Sequence, residues 1–323
     1  MAEPLLLTAL SPPPSPARTR PPERPLLRLG LVQESWHSDP EEHASALACG
    51  IEIAASEGAR IVCLQELTLS RYFATTPDGP AAGGAEPEDL ATGPTAAFAR
   101  RAAAATGAYV HASLYERADG PHGPDGLGYN TAIVLAPGGH LVSRTRKLHI
   151  PVTAGYYEDR YFRPGPATGD PFPLTLLPTP EHDIRLGCPT CWDQWFPELA
   201  RAYSLAGAEV LIFPTAIGSE PDHPGFDTRP LWQQVIVGNG VANGTFMVAI
   251  NRTGFEDPLT FYGSSFISDP YGRVLVQAPR DEPAVLVADL DLDQRRDWLE
   301  LFPFLTTRRP SAYGILTDSA GET

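Results

Sequence analysis

Cys191 lies in Gly187-Cys188-Pro189-Thr190-Cys191-Trp192-Asp193-Gln194-Trp195-Phe196-Pro197-Glu198, between an apolar run that reads as a strand and a helix that opens on Pro197 with Glu198 in its first turn. Backbone N–H groups and the helix dipole at such a junction favour an anion. A thiol whose ordinary pKa is about 8.5 is therefore expected to fall toward the working range and act as a nucleophile. The same stretch contains Cys-x-x-Cys, the spacing of a thiol–disulfide protein using Cys188 and Cys191. In a redox pair the first cysteine opens a helix, whereas here Cys188 belongs to the strand and only Cys191 reaches the turn. Cys49, Cys63 and Cys188 are expected to be buried small hydrophobes.

Two more strand ends carry reactive groups. Glu66 follows Ile61-Val62-Cys63-Leu64-Gln65, and Lys147 follows a strand over Leu141–Thr145. Each has an ordinary reading alone: a helix-start or loop acid for Glu66, and a solvated basic loop for Arg144-Thr145-Arg146-Lys147. With Cys191 they supply a base, a cation and a nucleophile, the set required for acyl transfer through a thioester. The backbone N–H of Trp192 is a candidate second oxyanion donor, because the amide after a nucleophile on a sharp turn faces the same carbonyl. His149 is a candidate papain-like partner for Cys191, but Leu148 and Ile150 around it mark a buried, structural segment. Glu220 and Asp159 are candidates to attract a cationic tail at the pocket mouth, and Trp195 and Phe196 either line that pocket or pack in the core. No His, Cys and carboxylate spacing resembles a metal site and no phosphate loop is present, so neither metal nor cofactor is expected.

These side chains need a scaffold that gathers strand ends. From Leu26 onward the chain alternates strand and helix: strand Leu27–Gln33, helix Pro40 to about Ser56, strand Ile61–Leu64, then an alanine-rich helix over Thr92–Ala105. Strands are expected over Tyr109–Tyr115, Asn130–Leu135, His140–Arg144, Glu209–Phe213, Phe246–Ile250, Phe261–Ser268, Arg273–Gln277 and Ala284–Ala288, with a helix over Leu231–Ala242. This pattern implies a layered α/β sandwich whose active groups gather at the carboxyl ends of strands. No linker divides it, so residues 26–323 read as one domain.

Residues 1–25 read as a disordered proline-rich arm, since Ser11-Pro12-Pro13-Pro14-Ser15-Pro16 and Pro21-Pro22 cannot bury enough apolar surface to offset their ordering entropy. The formal net charge of −15 over 323 residues argues against a nucleic-acid partner and mildly favours a neutral or cationic small molecule, although a solvated acidic surface accounts for most of it. No apolar run approaches the roughly 20 residues of a membrane span, and four cysteines without framework spacing suggest a reducing, cytoplasmic compartment.

Leu64-Gln65-Glu66, Arg146-Lys147-Leu148-His149-Ile150-Pro151 and Cys191-Trp192-Asp193-Gln194-Trp195-Phe196-Pro197-Glu198 resemble the three catalytic motifs of the nitrilase superfamily of carbon-nitrogen hydrolases. Tyr156–Gly165, Pro214–Glu220, Ala249–Gly254 and Phe261–Phe266 fit as well, so the resemblance spans about Leu27 to Tyr313. It implies a four-layer αββα sandwich that pairs into a homodimer or larger homo-oligomer through the C-terminal tail. It also implies Glu158 as a further glutamate that positions Lys147 or the attacking water. The nearest branch looks like the N-carbamoylputrescine amidases, then the β-ureidopropionases and aliphatic amidases, on the strength of Gln194–Glu198, Ser219-Glu220-Pro221 and Phe302–Pro310. Val152, Asp159, Gln234 and Pro189 depart from that branch. A linear N-carbamoyl amine or carboxamide is the implied substrate, and a catalytically silent binding protein on this fold is the remaining alternative.

Overall fold

The computed structural model describes residues 4–120, 123, 125–178 and 183–318. Two sheets form its centre. The first has seven strands in the order Leu5–Ala9, Ala284–Leu290, Leu27–Gln33, Ile61–Cys63, Tyr109–Glu116, Tyr129–Leu135, Leu141–Arg146. The second has six in the order Val274–Gln277, Phe266–Ser268, Phe246–Asn251, Val210–Thr215, Ile184–Gly187, Leu174–Leu177. Alternation along the strands sends Leu27, Leu29, Leu31, Ile61 and Cys63 inward to meet Ile184, Leu186, Cys188, Ile212 and Val248 from the other sheet. Helices Pro40–Ser56 and Pro94–Thr106 pack on the outer face of the first sheet, through Leu47, Ile51, Phe98 and Ala103. Helices Pro197–Leu205 and Arg229–Asn243 cover the second through Leu199, Tyr203, Trp232 and Ile236. The layers are therefore α, β, β and α. Among the described residues no helix is long and apolar enough to cross a membrane.

Local signals account for the helix starts. Asp39 caps Pro40–Ser56 by accepting from the amides of Glu41 and Glu42 at 2.8 and 3.0 Å, with Pro40 in the first turn. The expected Phe261–Ser268 strand is instead broken, because Gly263 and Ser264 take φ of +48° and +59° and split it into Leu259–Tyr262 and Phe266–Ser268. Cys63 and Cys188 are buried as expected, whereas Cys49 is exposed on its helix.

Strand direction gathers the reactive groups. Leu27–Gln33, Ile61–Cys63 and Tyr109–Glu116 run parallel, and two antiparallel pairings bring Leu141–Arg146 back into the same direction. Glu66 and Lys147 thus leave the sheet at one edge, which also holds the start of Tyr129–Leu135. In the second sheet Ile184–Gly187, Val210–Thr215 and Phe246–Asn251 are likewise parallel, so the segments after them share an edge.

The expectation of a disordered arm is corrected by the structure. Leu5–Ala9 forms an edge strand parallel to Ala284–Leu290, with Leu7 and Ala9 against the inter-sheet core. Arg18 then bridges Asp291 and Asp297 at 2.7 and 2.8 Å, Ser15 meets the Tyr271 hydroxyl at 2.7 Å, and Arg24 pairs with Glu209. Proline-rich composition misled because the partners lie nearly the whole chain away. Truncation after Pro25 should therefore uncover the Ala284–Leu290 edge and leave Asp291 without its cation, lowering the thermal midpoint by roughly 5 °C or more. A midpoint equal to that of the full chain would show that these contacts contribute nothing.

Candidate active site

Cys191 opens a 3-10 turn, Cys191–Trp195, directly after the Ile184–Gly187 strand and its Cys188–Thr190 exit. Its φ of +41° is rare for a residue with a side chain and turns the thiol away from the strand. The turn is pinned by Asp193, whose carboxylate accepts from the amides of Thr190 at 3.0 Å and His149 at 2.9 Å and pairs with His149 Nδ1 at 2.8 Å. The His149 ring lies flat on Phe196, with ring centres 3.6 Å apart. His149 is therefore engaged in bracing the turn rather than facing Cys191. Cys188 points into the inter-sheet core, where its Sγ lies 3.7 Å from Thr175 Oγ1. The two sulfurs of the Cys-x-x-Cys stretch face different compartments, and both are free thiols.

Lys147 sits at the centre of the site with no exposed surface. Its ammonium donates to Glu66 Oε1 at 2.9 Å and to both Glu158 oxygens at 2.9 and 2.7 Å. Asn130 Nδ2 donates to Glu66 Oε1 at 2.7 Å, and the Tyr72 hydroxyl donates to Glu158 Oε1 at 3.0 Å. Glu66 Oε2 is buried and has no hydrogen-bond partner among the described residues. Glu66 therefore has one oxygen fixed by two donors and one left to accept a proton. Arg144 and Arg146, the other cations of the basic run, turn to Glu116 instead, at 3.5 and 2.6 Å.

The electrostatics alter one expectation. Burial pushes the Cys191 thiol well above its ordinary range and the Glu66 charge adds to this, while Lys147 opposes it. Burial thus opposes the lowered thiol pKa expected at a helix start, and leaves the thiol in need of a base. Lys147 is also buried, which favours the neutral amine, but the adjoining Glu158 and Glu66 charges outweigh that and hold it cationic. Glu158 is raised to about 7 by burial, against the pull of Lys147 and with the push of Glu66.

A cavity of about 300 Å³ opens over Cys191. Trp192, Trp195, Tyr156, Ile217, Phe226 and Leu231 give it mainly apolar walls, and Glu158 and Glu220 are its acidic lining residues. Trp195 thus both lines the cavity and packs against the outer core. Asp159 does not line it; that expectation is corrected, because the 3-10 turn Glu158–Arg160 sends Glu158 inward and leaves Asp159 beside Arg160 at 3.4 Å. Asn130, Tyr72 and Tyr156 were not anticipated. Asn130 lies in an ordinary apolar strand, and Tyr72, in a loop, and Tyr156, in the two-residue strand Tyr156–Tyr157, both have aromatic neighbours, so nothing in a single sequence separates them from packing residues.

A family model described as carbon-nitrogen hydrolase matches residues 28–300. The N-carbamoylputrescine amidase of Arabidopsis thaliana is 36% identical over 298 residues, covering 90% of this chain and 95% of that protein. The citrullinase of Francisella tularensis is 35% identical over 295 residues, covering 89% and 96%. A solved carbon-nitrogen hydrolase from Helicobacter pylori superposes with a TM-score of 0.80 at 31% identity, covering 91% of this chain and 99% of that one.

Proposed function

The chain belongs to the carbon-nitrogen hydrolase family and is an enzyme of that class; on that premise we propose that it hydrolyses a linear N-carbamoyl amine through a carbamoyl thioester on Cys191. The observation that carries this reading is the buried, unpartnered Oε2 of a Glu66 carboxylate that is fixed by the Lys147 ammonium, with Cys191 lining the cavity. Glu66 takes the Cys191 proton as sulfur attacks the ureido carbon. Lys147 and the Trp192 amide stabilise the oxyanion that develops. Glu66 returns the proton to the departing nitrogen, which leaves as the C–N bond breaks. It then deprotonates a water that attacks the thioester; the C–S bond breaks, Glu66 returns the proton to the Cys191 sulfur, and the released carbamic acid decomposes. Overall R–NH–CO–NH2 and H2O give R–NH2, CO2 and NH3. Glu158 keeps Lys147 cationic and oriented toward Glu66.

The pocket chemistry supports a tail with an ammonium end. An apolar channel suits a methylene chain, and Glu220 is half-buried, raised by desolvation and only partly relieved by Thr228 at 3.5 Å, so a substrate cation would compensate it. Among the described lining residues none is basic, which disfavours tails ending in a carboxylate, such as those of citrulline or N-carbamoyl-β-alanine. The test is ammonia release across N-carbamoylputrescine, citrulline, N-carbamoyl-β-alanine, simple carboxamides and nitriles. N-Carbamoylputrescine should turn over most efficiently. Glu220→Gln should raise its KM by about tenfold or more, the loss of a charge-assisted hydrogen bond, and leave an uncharged N-carbamoyl alkylamine almost unaffected. Faster turnover of the carboxylate-tailed compounds would overturn the substrate class, and equal KM changes for both amines would make Glu220 a structural residue.

A further inference from the structure

Arg252 is fully buried, yet the reaction described above gives it no role. It follows the Phe246–Asn251 strand at the edge that meets the Glu66 segment. Its Nη1 forms a two-pronged pair with Glu256, at 2.7 and 2.9 Å. Its Nη2 donates to the main-chain carbonyls of Glu66, Leu67 and Ser70 at 2.8, 3.3 and 3.1 Å. Those carbonyls belong to the turn that carries Glu66. Leu67, the next residue, is held at φ +49°, a strained conformation for a branched side chain that persists only where surrounding contacts fix it. Ser113 holds the other side of the turn, its Oγ accepting from the Leu67 amide at 3.1 Å and its carbonyl from the Thr68 amide at 2.8 Å.

We propose that Arg252 is a positioning residue, which by clamping the carbonyls of Glu66, Leu67 and Ser70 holds the strained turn that aims Glu66 at Cys191. The inference rests on the reading of Glu66 as the base. A planar guanidinium suits this work, because one face of its fork pairs with a carboxylate while the other fans onto several carbonyls. The clamp reaches the second glutamate as well: Glu256 Oε2 also accepts from the Tyr72 amide at 2.8 Å, and the Tyr72 hydroxyl donates to Glu158. The preceding residue, Asn251, fixes the opposite wall by accepting from the Ile217 amide and donating to the Ile217 carbonyl, at 3.0 and 2.9 Å. One strand end therefore sets both the base and the wall behind the nucleophile. Simple truncation of Arg252 would leave the buried Glu256 charge without its cation, so it would report on stability more than on aim.

The experiment compares Arg252→Lys, the neutral double variant Arg252→Gln/Glu256→Gln, and Glu66→Gln in the full chain. It reads kcat, KM, thermal midpoint and the rate at which 2-chloroacetamide alkylates Cys191, followed on the Cys191 peptide by mass spectrometry. Alkylation requires removal of the thiol proton, so it reports on the base without hydrolysis. Arg252→Lys keeps a charge beside Glu256 but cannot span three carbonyls. It should remain folded, with KM within about twofold and with kcat and Cys191 alkylation each reduced about 10²-fold, the effect of displacing a reacting group by about 1 Å. The double variant should behave alike. A purely structural role would lower the midpoint and leave the rates per folded molecule unchanged. Wild-type rates in folded Arg252→Lys would overturn the positioning role, as would loss of the fold in both Arg252 variants. If Glu66→Gln itself turns over normally, the base assignment fails; if it is inactive while both Arg252 variants run at full speed, only the positioning role fails.

Discussion

Cys191→Ser should lose at least about 10⁴-fold in kcat while keeping the wild-type fold, whereas Cys188→Ala should retain substantial activity. The serine hydroxyl fits the same strained turn, so geometry survives and only chemistry is lost. A hydroxyl is far harder to deprotonate than a thiol, and the site already resists deprotonation: burial and the Glu66 charge push even the Cys191 thiol up. Glu66 can remove a thiol proton in step with attack but gains little against an alcohol. Cys188, by contrast, sits in the inter-sheet core beside Thr175, where alanine removes a buried sulfur and no reactive group. Its cost should appear as a modest fall in thermal midpoint. Turnover by Cys191→Ser with inactivity of Cys188→Ala would reverse the assignment of the nucleophile. A Cys188–Cys191 disulfide in an active preparation would sink the thioester chemistry altogether.

What the sequence made legible follows from the range of the interactions involved. Helix Pro40–Ser56 and strand Leu27–Gln33 are written in local periodicity and capping, and both appear with the expected bounds. Glu66, Lys147 and Cys191 stood out because each follows a strand; strand direction brings Glu66 and Lys147 to one edge of the first sheet, while Cys191 follows a strand of the second. Features that depend on distant partners were not legible. Arg18 looks like part of a proline-rich tail until Asp291 and Asp297 are placed beside it. Asp159 and Glu158 are neighbours of the same charge, and only the short turn between strand and loop decides which of them faces the cavity. The lowered pKa expected for the Cys191 thiol meets a related opposition. A local rule about helix starts was outweighed by burial, which depends on everything packed around the sulfur.

Lys147→Ala should cost stability as well as rate, and the stability loss should depend on pH. In the basic run Arg144-Thr145-Arg146-Lys147, a solvated lysine would be replaceable without structural cost. Lys147 instead has no exposed surface and is the cation between two buried carboxylates, 2.9 Å from Glu66 and 2.7 Å from Glu158. Its removal leaves two negative charges facing each other in the interior, a loss of about 3–5 kcal/mol where one partner of a buried pair is deleted. The carboxylates can escape part of this by taking up a proton. Glu158 is already raised to about 7 by burial, with Lys147 opposing the rise, so losing Lys147 drives it higher still. An acid whose pKa is higher folded than unfolded binds the extra proton in the native state. Its destabilisation is therefore full above the folded pKa and is relieved as pH falls toward the unfolded value. The gap in thermal midpoint between Lys147→Ala and wild type should accordingly be wide at pH 8 and narrower at pH 5. Adding Glu158→Gln to Lys147→Ala removes one of the facing charges and should recover much of the stability at pH 8. It should not recover turnover, because the oxyanion still lacks its cation. A midpoint gap that ignores pH, or a double variant no more stable than Lys147→Ala, would mean that the two carboxylates do not share this ammonium in the folded protein.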